Sequence, residues 1–148
     1  MKKEEIYATL PHRYPMLFVD DIYEIDYGKH VRGVKNVSMN EPWVQGHFPE
    51  EPVFPGVLII ETMAQIGGFM FYSEEESKSL KAYLSKIDEV KFLRKVVPGE
   101  QLIVEADFIS SFSKFAKVKC KGIVNGKAVA KAVVTYCFDE KINLEESK

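Results

Sequence analysis

From Val57 to about Tyr72 the chain carries Val57, Leu58, Ile59, Ile60, Met63, Ala64, Ile66, Phe69, Met70 and Phe71, and at helical spacing these fall on every side. A helix apolar all round has to be buried. Glu61, Gln65, Gly67 and Gly68 interrupt it, and it is shorter than the roughly 20 apolar residues that a bilayer crossing needs. Its covering must therefore come from the rest of the chain, and that remainder reads as strands.

Glu61 is the anomaly on this helix, because carboxylates are rarely buried unless paired. Gln65 lies one turn on, at the spacing from which an amide can hydrogen-bond it. The competing reading is a first-turn acid standing in water and complementing the helix dipole. What precedes the helix favours the buried reading. Pro49, Pro52 and Pro55 follow His47 at every third position, excluding helix and central strand and making a stiff loop that can hold a side chain in place. His12 and His30 lack such a setting and read as structural residues. Pro55 and Gly56 turn the chain, and the first helical N–H groups, from about Gly56 and Val57, have no intrahelical acceptor and carry partial positive charge. Gly56 also has no Cβ to hold a ligand carbonyl away. An imidazole, a carboxyl and amide donors for an oxyanion suit removal of a proton beside a carbonyl.

The run HFPEEPVFPGVLIIETMAQ, from His47 to Gln65, resembles the active-site signature of the beta-hydroxyacyl-(acyl carrier protein) dehydratases of bacterial fatty-acid synthesis. The likeness extends upstream through LPHRYPMLFVD and KNVSMNEPWVQGHF and downstream through IDEVKFLRKVVPGEQL, so it covers most of the chain. It implies the hot-dog fold, an α+β arrangement in which an antiparallel sheet wraps a long central helix. The activity implied is loss of water from a (3R)-3-hydroxyacyl thioester to give the trans-2-enoyl thioester, with no metal or organic cofactor. Carried over position by position, His47 takes the alpha proton, and Glu61, directly or through a held water, protonates the departing hydroxyl. The Gly56 N–H would bind the thioester oxygen, the Val53 carbonyl would orient His47, and Gln65 would hold Glu61.

The resemblance further implies a homodimer whose active sites are shared between subunits, commonly assembled as a trimer of dimers, with acyl carrier protein as the partner. Tyr14 is expected to wall the acyl tunnel or to pack in the core, with Phe48 and Phe54 as further tunnel residues. Lys86, Lys91, Arg94 and Lys95 form either a basic rim for the acidic carrier or a solvated strand face. Two departures bear on docking. Lys91, Phe92, Leu93 stand where family members usually read KFR, and Asp21 stands where a basic residue is common; neither touches the His47 and Glu61 chemistry. Rival activities are a dehydratase that also isomerises to the cis-3 product, an acyl thioesterase and a non-catalytic acyl-binding module. The isomerising type usually has aspartate at the position of Glu61, and a non-catalytic module would be expected to lose His47 or Glu61.

In chain order, Lys2 to Thr9 is expected to form a short helix with Ile6 and Leu10 inward, stopped by Pro11. Strands are expected over Met16 to Asp26 and His30 to Ser38, around a turn at Gly28. Beyond the helix, Ser73 to Lys81 reads as a solvated loop, Leu80 to Val96 as one long or two short strands, and Pro98-Gly99 as a turn. Gln101 to Phe112 continues the sheet; Ala116, Val118 and Cys120 then alternate with Lys117, Lys119 and Lys121, as in a sheet with one wet face. Asn125-Gly126 is the strongest hairpin signal, favouring a type I′ turn. Lys127 to Phe138 returns, and the small Ala128, Ala130 and Ala132 leave room for the helix to pack closely. With 148 residues, 46% of them hydrophobic, the chain suits one domain with a real core, and only the tail from about Glu140 is expected to lack order. A net charge of −2 argues against nucleic acid as a partner. Cys120 and Cys137 show no ligand spacing and read as buried thiols of a reducing compartment. The opening residues lack the apolar run of a signal peptide, which together implies a soluble cytoplasmic protein without membrane association.

Overall fold

The computed structural model describes residues 1–72 and 81–139. The expected loop after the helix, apart from Lys81, and the expected disordered tail lie outside the described residues. Two α-helices, α1 (Lys3–Thr9) and α2 (Gly56–Gly68), accompany six strands: β1 (Asp21–Asp26), β2 (His30–Asn36), β3 (Ala82–Phe92), β4 (Gln101–Phe112), β5 (Phe115–Val124) and β6 (Lys127–Phe138). The strands form one sheet in the order β1-β2-β4-β5-β6-β3, antiparallel at every pairing. Asn125 and Gly126, at φ 50° and 77°, make the tight turn between β5 and β6, the backbone sign that a type I′ hairpin requires. Single 3-10 turns at Pro42–Gln45 and Phe69–Phe71 precede the histidine loop and extend α2.

Helix α2 lies across the sheet, nearest β4, β2 and β5. Met63, Ile66, Phe69 and Met70 are fully buried, each contributing about 1.5–3 kcal/mol by leaving water. Close approach depends on glycines and one alanine more than on the alanine run of β6. A Cβ on Gly33 would stand 3.2 Å from Ile66, one on Gly122 would stand 3.3 Å from Met63, and one on Gly67 would stand 3.4 Å from Ala106. Ala130 and Ala132 join the core, whereas Ala128 lies at its margin.

Two expectations need correction. Strand β1 starts at Asp21 and not at Met16, because the Met16 carbonyl and the Phe18 N–H bond the Gln65 side chain on α2 and are lost to the ladder. Nor is α2 covered on every side: it is enclosed from Thr62 onward, but Val57 is 73% exposed and Leu58, Ile60 and Glu61 are half-buried. The sheet covers one side, the segment around Met16–Phe18 crosses another, and the face that carries Val57 and Glu61 stays open within this chain. Strand β3 is a sheet edge with Tyr83, Leu84 and Ile87 exposed along it.

Candidate active site

The loop ahead of α2 closes on itself at His47. The Val53 N–H donates to the His47 carbonyl at 2.9 Å, and the Val53 carbonyl lies 2.8 Å from His47 Nδ1. With a proton on Nδ1 donated to that carbonyl, Nε2 keeps its lone pair free. Phe48 and Glu51 exchange backbone hydrogen bonds at 3.1 and 3.2 Å, and the Phe54 N–H donates to the Val96 carbonyl at 2.7 Å, which pins the loop to the chain after β3. The half-exposed Phe48 ring stacks on His47 at 4.2 Å between centroids. Pro55 precedes Gly56 and has no side chain able to cap the helix, so the first amide donors of α2 are left uncapped. The Phe92 ring stands over Gly56, where a Cβ would come within 2.9 Å of it.

Glu61 belongs to a different hollow. Its Oε2 accepts a hydrogen bond from Gln65 Nε2 at 2.8 Å, and the same nitrogen donates to the Met16 carbonyl at 2.8 Å. Gln65 Oε1 accepts from the Phe18 N–H, also at 2.8 Å, so every arm of this buried amide is committed and its orientation is fixed. His12 Nε2 stands 3.7 Å from the same Glu61 oxygen, although sequence reasoning set His12 aside as structural. A cavity of about 230 Å³ holds Glu61, Gln65 and His12 between the end of α1, α2 and the aromatic rings of Tyr83 and Tyr136. Tyr136 donates its buried hydroxyl to the Ala64 carbonyl at 2.6 Å, fastening α2 to β6 there, and burial holds that phenol well above its ordinary value.

No hydrogen bond or ion pair joins His47 to Glu61 within the chain. Val53 and Gly56 line a second, open groove of about 530 Å³ together with Val57, Phe92, Arg94 and Lys95. Within the chain the two groups named by sequence reasoning therefore stand apart, as two candidate half-sites: His47 bonded to Val53, and Glu61 bonded to Gln65. Of the residues named for docking, Arg94 and Lys95 rim the groove, while Lys86 pairs loosely with Asp88 at 3.5 Å and Lys91 lies exposed opposite Lys131. Tyr14 is 79% exposed, which corrects the core alternative. Phe54 is 1% exposed, packed against Trp43 and Phe18, and also lines the groove.

A buried pair was missed by sequence reasoning. Lys35 Nζ meets Glu41 at 2.7 Å, beneath the Phe18 and Phe54 rings, and Glu41 also receives the Ser38 N–H. It anchors the segment leading to His47. The signal was available: Lys35 shares the phase of Val31, Gly33 and Val37, all inward positions of β2 and its continuation. Cys120 is buried and its thiol is pushed up to about 12, chiefly by burial, with Asp107 adding to it; Cys137 is only half-buried, which corrects the reading of both as buried thiols. No cluster of His, Cys, Asp and Glu able to hold a metal occurs among the described residues, and no helix there is long and apolar enough to cross a membrane.

Comparison with known proteins gives concordant likenesses. The family described as FabA-like domain matches residues 10–133. The 3-hydroxyacyl-[acyl-carrier-protein] dehydratase FabZ of Streptococcus pyogenes serotype M3 is 46% identical over 136 residues, covering 92% of this chain and 97% of the relative. The protein of the same name from Lawsonia intracellularis is 46% identical over 143 residues, covering 95% of this chain and 94% of its own length. Among solved structures, the dehydratase heterocomplex ApeI:P from Xenorhabdus doucetiae superposes with a TM-score of 0.77 at 18% identity, covering 92% of this chain and 91% of that one. At such identity the structural likeness carries the fold alone, the α+β hot-dog arrangement of a helix held by an antiparallel sheet.

Proposed function

Since this chain belongs to the FabA-like family, we infer that it is a 3-hydroxyacyl-(acyl carrier protein) dehydratase, a hydro-lyase of fatty-acid synthesis that converts a (3R)-3-hydroxyacyl thioester to the trans-2-enoyl thioester. The observation that carries this is the likeness to FabZ enzymes along nearly the whole chain, which takes in both half-sites. The same likeness favours dehydration over thioester hydrolysis and over acyl binding without turnover.

The chemical problem has two halves, a weakly acidic proton beside a thioester and a poor leaving group. His47 Nε2, freed by the Nδ1 bond to Val53, takes the alpha proton. The amide donors at the start of α2, at Gly56 first, receive the charge that gathers on the thioester oxygen; one such donor is typically worth about 3 to 4 kcal/mol. Glu61, held by Gln65, delivers a proton to the departing hydroxyl, a step that typically contributes about 10² to 10⁴-fold. Tyr14 and Phe48 stand exposed as candidates for the tunnel wall, and the buried Phe54 lines the groove.

Two chains are needed to assemble this constellation. Strand β3 ends the sheet, paired with β6 on one side only and with Tyr83, Leu84 and Ile87 exposed along it, which supports strand-to-strand pairing with a second copy. In such a dimer the His47 loop of one chain would meet the Glu61 cavity of the other, and a trimer of dimers is the further expectation. The substrate comes on acyl carrier protein, with Arg94 and Lys95 at the groove as the first candidates to meet an acidic carrier and Lys86 and Lys91 beyond them. The balanced charge and free thiols fit a cytoplasmic setting.

The test is enoyl product formation from a series of hydroxyacyl thioesters of different chain length. His47→Ala and Glu61→Ala should each be inactive alone, and subunit exchange between them should restore activity. Failure of the wild type to release enoyl product would overturn the assignment. Complete failure of complementation despite demonstrated exchange would overturn the shared site. Charge reversal at Lys91 and Arg94 that leaves carrier-protein kinetics unchanged at low salt would remove the basic rim.

A further inference from the structure

The imidazole that faces Glu61 inside its own chain is not the one assigned to the alpha proton, and its surroundings are specific. His12 Nε2 points at Glu61 Oε2 from 3.7 Å, the oxygen that Gln65 also holds. His12 Nδ1 is buried and bonded to nothing, so proton exchange at this ring runs through Nε2 alone. The ring's place is set by neighbours on both sides. The Arg13 guanidinium binds the carbonyls of Tyr7, Leu10 and His12 at 2.7 to 3.0 Å, and Gln65 fixes Met16 and Phe18. Among the described residues Glu61 Oε1 has no hydrogen-bond partner. Among the described residues the other titratable groups on the cavity walls are Tyr72, Tyr83 and Tyr136, no lysine or arginine lines it, and the Arg13 charge is spent on carbonyls.

This arrangement meets a difficulty in the function proposed above, on which it rests. The leaving hydroxyl needs a proton from Glu61, and a carboxylate has none to give until a neighbour supplies it; the group placed to do so is the His12 ring 3.7 Å away. We propose that His12 is the proton store for Glu61, so that the acid of the reaction is the His12–Glu61 pair. At the start His12 is the imidazolium and Glu61 the carboxylate. As the C–O bond breaks, His12 Nε2 gives its proton to Glu61 Oε2, and the carboxyl so formed passes that same proton to the leaving hydroxyl, which departs as water. The alpha proton sits meanwhile on His47. The enzyme is left with neutral His12, anionic Glu61 and protonated His47; His47 loses its proton to solvent and His12 regains one, so nothing is consumed. The 3.7 Å gap must shorten to hydrogen-bond length for the transfer. His12 is thus a positioning residue that acts through Glu61.

The test uses His12→Ala and His12→Gln in the full-length oligomer, with Glu61→Ala alongside. Glutamine keeps a polar arm of similar reach but stores no proton. Both His12 variants should lose about tenfold or more in kcat, with KM changed less than twofold, and keep the wild-type oligomeric state. Added imidazole should restore His12→Ala, and the rescue should weaken as pH rises because the imidazolium is the active form. Wild-type kcat in His12→Gln, or loss in His12→Ala that imidazole does not repair, would overturn the proposal. If Glu61→Ala itself keeps wild-type activity, it is the assignment of Glu61 that falls; if Glu61→Ala is inactive and His12→Gln is normal, only the proton store falls.

Discussion

Replacing Gln65 by Glu isolates what holds Glu61, because it changes one nitrogen to oxygen in a side chain that is 2% exposed. The bond from the Phe18 N–H survives, but the former Nε2 position becomes an oxygen 2.8 Å from both the Met16 carbonyl and Glu61 Oε2. Two carboxylates cannot share that space, so one must keep a proton, and its pKa rises above about 4.3. Leaving a buried charge without its partner typically costs about 3 to 5 kcal/mol, and the Glu61 side chain, still 23% exposed, recovers part of that from solvent. The cost once both carboxyls are ionised is therefore about 3 to 4 kcal/mol. At about 3 °C per kcal/mol for a chain of this size, that lowers Tm by roughly 10 °C. The sign follows from the raised folded value: the penalty is absent below the unfolded pKa near 4.3, grows as pH rises, and is complete above the folded pKa. Thermal melts of Gln65→Glu and wild type at pH 5 and pH 8 read this directly, the gap being small at the first and full at the second. The variant should also lose about 10²-fold in kcat, since Glu61 no longer receives an N–H. A Tm gap equal at both pH values, or no gap, would refute the claim that Gln65 grips Glu61 in solution.

Other expectations follow from packing and titration. Gly67→Ala should cost about 1 to 3 kcal/mol in urea unfolding, because a Cβ there would meet the Tyr136 hydroxyl at 2.6 Å; combined with Tyr136→Phe it should cost less than the two single changes summed. Cys137 should react with a thiol reagent in the native protein and Cys120 should not until unfolding, given its burial and a pKa of about 12; equal rates would contradict the fold at β5. At His30 burial lowers the pKa, but the hydrogen bond and charge of Asp107 at 2.8 Å, with Glu24 at 3.1 Å, outweigh it and raise the group above 6.5. Its stabilisation is therefore fully present below pH 6.5 and lost as pH rises through the folded value. The stability difference between wild type and His30→Ala should shrink over that window, and a difference that grows with pH would be the wrong sign.

The parts of this molecule governed by local spacing were open to sequence reasoning. Alternation of Ala116, Val118 and Cys120 with lysines marks β5, Asn125-Gly126 marks the hairpin, and the apolar run after Pro55 marks α2. The positions of His47 and Glu61 within a stiff loop and a helix were equally legible, because local chemistry makes them conspicuous. What escaped depends on contacts between distant segments. His12 gains meaning only when the chain near Met16 crosses α2, a fold-back made by two bonds to one amide, and nothing near His12 in sequence announces it. The glycines that admit the helix, Gly33 and Gly122, matter through what stands opposite them, which no single strand records. The open face of α2 escaped for a related reason: apolar residues all round a helix say that it is covered, but not by which chain.

The placement of the histidine and the acid in separate hollows has an effect on mixed populations. In the shared-site dimer proposed above, there are two reaction centres, and each centre borrows one group from either chain. A chain damaged at His47 alone still leaves its healthy companion one working centre. A chain damaged at both His47 and Glu61 spoils both centres, so it silences the companion entirely and acts as a dominant poison when co-expressed.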